Sequence, residues 1–259
     1  MPIIKNKTPK LPKRELLGIV FSVTGITLIC WIYLILMVKE MSTEEYLTMA
    51  SLQIQQWSLS YFWMILIMWG IMMVGMMLPS VAPMILIYAA IARKSEKQGN
   101  PIAPTAFFTL GYIAIWIIFS LGATIAQWGL DKVALLSPMI VSNSPLLGAI
   151  LFIVAGIYQW LPVKKSCLEH CRSPFHFISN HWQSGKIGAF KMGLYNGYYC
   201  LGCCWVLMLL LFVGGVMNLL WIAGISLFVL FEKILPFGDA GGRWMGIFMI
   251  TIGLIMILN

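Results

Sequence analysis

"YFWMILIMWGIMMVGMMLPSVAPMILIYAAIA", residues Tyr61–Ala92, is one continuous apolar run. A bilayer crossing needs about twenty such residues, so the run predicts a membrane helix with length to spare. The excess calls for tilt or a kink, and Pro79 and Pro83 are the residues able to supply a kink. An outer-membrane type of barrel is excluded, because its strands alternate in apolarity over about ten residues.

The rest of the chain agrees. Of its 259 residues 60% are hydrophobic and only 10% charged, and the mean hydropathy is +0.89. Soluble domains carry about 25% charged residues. Further apolar runs lie at Leu16–Val38, Thr105–Trp128, Pro145–Pro162, Phe190–Val213, Met217–Leu235 and Trp244–Leu258. The fold class expected is therefore all-α: a polytopic integral membrane helical bundle of about seven transmembrane helices. Gly214 and Gly215 leave almost no loop between the fifth and sixth runs, which predicts a tight antiparallel hairpin. Residues 1–58 read as a basic tail, a first anchor without a cleavage site, and an interfacial helix ending near Trp57. Residues 59–259 form a six-helix membrane domain.

The net charge of +8 follows topology, not nucleic acid. With a cytoplasmic N-terminus, the inner segments hold Lys5, Lys7, Lys10, Lys13 and Arg14, then Arg93, Lys94 and Lys97. They also hold Lys164, Lys165, Arg172, Lys186, Lys191, Lys233 and Arg243, leaving Lys39 and Lys132 outside. Lys and Arg in short loops set orientation in this way, so a multi-pass protein of the cell's inner (cytoplasmic) membrane is expected. No internal repeat is visible, which weakens a transporter of duplicated halves.

Soft donors concentrate at three places. In the long run, Met64, Met68, Met72 and Met76 recur every four residues, with Met73 and Met77 as a parallel row. In the fifth run, Cys203 and Cys204 stand three and four residues after Cys200, a spacing that brings helical neighbours together. Were that helix to start near Lys191, Cys200 would lie roughly 13 Å along it. Between the fourth and fifth runs, Cys167 and Cys171 are one turn apart with His170 between them. Thiolate and thioether ligands suit Cu(I), so the residues point to copper(I), collected at Cys167 and Cys171 and held by Cys200, Cys203 and Cys204 with a methionine. A local zinc site at Cys167 and Cys171 lacks an obvious second pair of ligands.

Plainer readings stand beside these. Cysteine, methionine and the nearby glycines all serve helix packing, and Lys164, Lys165, Arg172 and Lys186 suit anionic headgroups. Cys30, alone in the first run, reads as structural. Glu232 and Lys233 could pair or cap helices, though an intramembrane carboxylate is a functional suspect, and Asn218 could hydrogen-bond across helices. No phosphate-binding glycine loop is present, and the residues imply binding rather than catalysis.

Three blocks carry a family resemblance: "MWGIMMVGMMLPS", "YQWLPVKKSCLEHCRSP", and "GLYNGYYCLGCCWVLM" followed by "GGVMNLLW" and "EKILPFG". Over about Ser60–Asn259 the chain resembles a bacterial and archaeal family described as predicted metal-binding integral membrane proteins, some of them described as copper chaperones. The resemblance implies a metal role for Met72, Met73, Met76, Met77, Cys167, Cys171, Cys200, Cys203 and Cys204. The function expected is copper delivery, handling or transport, with a copper-donor or copper-acceptor protein as partner. Two alternatives remain open: a membrane thiol oxidoreductase cycling Cys200 and Cys203, and an accessory subunit of a larger membrane complex.

Overall fold

The structure is a computed structural model that describes residues 11–41, 57–96, 104–133, 145–235 and 238–258. The interfacial helix expected before Trp57 lies outside the described residues, as do Lys5, Lys7 and Lys10. Described elements are all helical: α1 (Lys13–Met41), α2 (Leu59–Glu96), α3 (Thr105–Lys132), α4 (Pro145–Tyr158), α5 (Pro162–Arg172), α6 (Pro174–His181), α7 (Gly185–Leu209), a turn α8 (Leu211–Gly214), α9 (Leu219–Ile234) and α10 (Gly238–Leu258).

Five stretches among the described residues are long and apolar enough to cross a membrane: Lys13–Glu40, Leu59–Arg93, Thr105–Lys132, Gly185–Gly214 and Ala240–Leu258. A sixth arises if α4 and α5 count as one broken span, since α5 turns 64° away from α4. Pro162 explains the break. It begins α5, a position where proline's missing N–H is harmless, while its ring cannot continue the helix before it. The sixteen residues of α9 reach only about 24 Å, short of a hydrocarbon core of about 30 Å. Outward faces are apolar, with Phe21 81%, Ile118 63% and Leu220 86% exposed, a surface compatible with a membrane setting.

Glycines set the helix pairs. A Cβ at Gly193 would land on the Phe108 carbonyl, one at Gly111 on the Phe190 carbonyl, and one at Gly197 would lie 2.9 Å from Ile115. From Phe108–Gly193 to Ile115–Gly197 the contacts advance along both chains, so α3 and α7 run parallel with backbones touching. The pair α4 and α10 runs antiparallel: Gly148 meets Met256, Gly253 meets Ile153, and Gly156 meets Ile250. Tyr88 stacks on Phe108 at 4.7 Å and lies 5.9 Å from Trp182, so the end of α2 sits beside the starts of α3 and α7. An ion pair between Arg93 and Glu15 brings the start of α1 to the same end.

The helix α2 continues through Pro79 and Pro83. Proline interrupts the backbone ladder, and side chains serve the carbonyls nearby. Met77 O accepts from Ser80 Oγ at 2.8 Å and from Tyr112 Oη at 3.2 Å, and Met76 O accepts from Ser226 Oγ at 3.2 Å. The bonds from Tyr112 and Ser226 tie α2 to α3 and α9 beside the prolines.

The expected hairpin after α7 forms. Gly215 takes φ 92°, a conformation easy only for glycine. Trp221 Nε1 donates to Leu210 O at 2.8 Å, and at the far end Lys233 reaches Cys200, so α9 returns antiparallel to α7. Asn218 does not reach across helices. Its Oδ1 accepts the Trp221 N–H at 3.2 Å, capping the start of its own helix as asparagine does well.

Candidate metal centre

The thiols of α7 are buried: Cys200 is 2%, Cys203 1% and Cys204 0% exposed. Their helix starts at Gly185, six residues before the start assumed from sequence, which sets Cys200 about 22 Å along it. Cys203 Sγ and Cys204 Sγ each donate to Cys200 O at 3.0 Å. The Cys200 sulfur points elsewhere. It receives Lys233 Nζ at 2.8 Å and lies 3.0 Å from Tyr112 Oη.

On α5, Lys164, Cys167, Leu168 and Cys171 fall at intervals of three and four, the spacing of one helical face. That face turns inward. Cys171 and Cys203 lie within electrostatic range of each other, and a Cβ at Gly202 would lie 2.8 Å from Cys167 Sγ. Tyr158 Oη donates to the Gly202 carbonyl beside it. The α5 cysteines therefore lie against α7 beside Gly202, whose missing side chain supplies the space.

The methionines divide. Met72, Met73, Met76 and Met77 are all buried, but Met64 is 43% exposed. A step of four residues drifts about 40° round a helix, so Met64 lies about 120° from Met76, on the outward face. Met77 stands nearest the thiols, because one Tyr112 hydroxyl touches both its carbonyl and Cys200 Sγ. Ser80 Oγ, receiving Lys233 Nζ at 2.9 Å, forms a second bridge. Met72 and Met73 lie roughly 6 Å or more further along α2.

Apart from Lys233, the remaining polar candidates are bonded to groups other than the sulfurs. Glu232 and Lys233 do not pair with each other; adjacent helical residues do not face one another. Glu232 binds Lys164 Nζ at 2.7 and 2.8 Å, with Lys164 3% and Glu232 4% exposed. Lys164 also donates to Gln159 Oε1, and Arg172 Nε donates to Glu232 O at 2.9 Å. These bonds clamp α5 to α9. His170 stacks flat on Tyr199 at 4.3 Å while its Nδ1 lies 2.8 Å from Ser166 O. Cys30 packs under α2, where a Cβ at Gly75 would lie 2.9 Å from its own Cβ.

The whole cysteine set is free thiol. Among the described residues no three His, Cys, Asp or Glu side chains are grouped to hold an ion. The cysteines of α5 and α7 face one another across the packing of Cys167 on Gly202, with the Lys233 ammonium on Cys200 Sγ. Sequence reasoning missed Tyr112, Ser80 and the bond from Lys233 to Cys200; the available signal was Lys233 itself, a cation within an apolar run.

The donor set is soft, and the family comparison agrees with that chemistry. A copper chaperone family, PpoB2, matches residues 66–256. The chain belongs to that family. The match spans the α2 methionines, the α5 pair and the α7 cysteines. No curated protein and no solved structure matches the chain.

Proposed function

We propose that the chain is a multi-pass protein of the cytoplasmic membrane that binds Cu(I) at the junction of α5 and α7 and hands it to a partner protein. The observation that carries this reading is the packing of Cys167 against Gly202, which brings the α5 cysteines beside Cys200, Cys203 and Cys204. Two helices supply thiols to one buried place, and sulfur ligands select Cu(I) among biological cations. Cys171 and Cys203 are the first ligands, Cys200, Cys204 and Cys167 the reserve, and Met77 or Met76 the thioether donor, with Met72 and Met73 further along the same helix. Zinc is the competing ion. For Cys200 to bind, Lys233 must leave its sulfur.

Seven crossings with the N-terminus inside fit the helix order: α1, α2, α3, the broken α4–α5 unit, α7, α9 and α10. The charge argument loses Lys164 and Lys233, which point into the protein and not into loops. Arg93, Lys165, Lys186, Lys191 and Arg243 still support the orientation.

The test is copper content. Protein purified under reductant should hold Cu(I) stoichiometrically against a competing Cu(I) chelator. Cys171→Ser and Cys203→Ser should each weaken retention at least about tenfold, the loss of one strong ligand among few. A triple change of Cys200, Cys203 and Cys204 to Ser should abolish it. Unchanged copper content in the triple variant overturns the proposal. The proximity of Cys171 to Cys203 also favours a second reading, thiol–disulfide exchange. Its mark would be a reversible disulfide between those two residues with no copper bound. Neither copper nor a reversible disulfide would leave an accessory subunit.

A further inference from the structure

A cavity of about 220 Å³ opens beside the clamp between α5, α9 and α10, away from the sulfurs. Gln159, Trp160, Lys164, Lys165, Glu232 and Arg243 line it. Its volume falls below the about 300–1,000 Å³ of drug-sized pockets, which suits a small headgroup. Gly242 keeps it open: a Cβ there would lie 2.7 Å from Glu232 Oε1 and 3.3 Å from Gln159 Oε1.

Its electrostatics favour an anion. Lys164 neutralises Glu232, which leaves the Lys165 and Arg243 charges in excess. Lys165 has only a 4.0 Å pairing with Glu169, in which both side chains are exposed; such pairs contribute little. Gln159 adds a specific demand. It is 8% exposed and spends its Oε1 on Lys164, while its Nε2 is a buried donor with no acceptor among the described residues. Buried donors of that kind are rare and call for a partner.

We propose that this cavity binds a phosphate group, with Lys165 and Arg243 supplying charge and Gln159 Nε2 the buried hydrogen bond. Basic pockets between membrane helices take phospholipid headgroups in this manner. The mouth suits that source, since Trp160 and Leu161 are 55% and 40% exposed, and tryptophan favours the membrane–water interface. A free phosphate ion offers the same chemistry.

The test uses the full chain in phosphatidylcholine nanodiscs, with thermal unfolding followed as phosphatidylglycerol or inorganic phosphate is added. Wild-type protein should gain stability from one of them. Phosphatidylglycerol alone identifies a lipid site, and inorganic phosphate a soluble ligand. The double variant Lys165→Gln/Arg243→Gln should need about tenfold more ligand, in line with the loss of charge-assisted bonds. Gln159→Glu keeps an acceptor for Lys164, and so the fold, but replaces the buried donor with an oxygen; it should show the same loss. Lys191→Gln, on the exposed face of α7, should respond as wild type does. Equal responses from wild type and both cavity variants overturn the proposal, as does the absence of any response to either additive. Copper retention is a separate readout.

Discussion

Lys164 and Glu232 show how much one side chain can carry. Both are almost fully buried, so removing either leaves an uncompensated charge in a region of low dielectric. Lys164→Met should destabilise the protein by about 3–5 kcal/mol, the cost of breaking a buried pair from one side, measured by reversible unfolding in detergent. The double variant Lys164→Met/Glu232→Leu should recover most of that loss, because apolar replacement of both partners is often neutral. No recovery would mean that the pair does more than cancel its own burial. Tyr112 makes a milder case. Tyr112→Phe deletes the hydroxyl between Met77 O and Cys200 Sγ and should lower stability by about 1 kcal/mol, the net value of a typical hydrogen bond. A larger loss would mark the hydroxyl as a structural pin between α2 and α7.

Between elements, packing is decided by glycine. Gly193→Ala would drive a Cβ into the Phe108 carbonyl, a backbone atom that cannot step aside. A loss of about 3 kcal/mol is expected, the upper range for overpacking, read as a lowered midpoint of thermal unfolding. Gly122, on the same α3, meets nothing within 4 Å. Gly122→Ala should be neutral or stabilising by up to about 1 kcal/mol, since alanine is the better helix former. If both variants behave alike, the close α3–α7 crossing is wrong. The long elements were legible in the sequence, because the four apolar runs of more than twenty residues report helices directly, whereas α5 and α6 lie in the polar stretch after the fourth run. The α4–α5 break was half legible: Pro162 marked where the fourth run ends, but not that the next turns would swing inward. The inward face of α5 stands at intervals of three and four from Lys164 to Cys171, a pattern that charged residues between them obscure. Met64 was misread because a four-residue repeat looks like a stripe on paper and spirals on a helix.

For the molecule as a whole, the helix directions make a topology that can be tested. With Lys186→Cys and Lys132→Cys introduced separately into a chain whose native cysteines are serine, a membrane-impermeant thiol reagent should label only the second from outside intact cells. Labelling of the first would invert the arrangement. The class of fold and the sulfur-bearing segments could be read from composition and spacing. Which sulfurs meet could not, because that depends on where α9 and α5 return against α7. Gly215 sets the first return and the Lys164–Glu232 pair the second, and both act through three-dimensional register. The same register turned Lys233 from a loop charge into a neighbour of Cys200.

The glycine crossing has a mechanical meaning. Where α3 and α7 touch backbone to backbone, no side chain lies between them to repack, so neither can slide without lifting the other. The two behave as a single fixed post. By contrast, α5 hangs from the Pro162 bend and is fastened to its neighbours by side chains alone. If copper passes to a partner as proposed, baring Cys203 calls for α5 to swing while the post carrying Cys203 stays still.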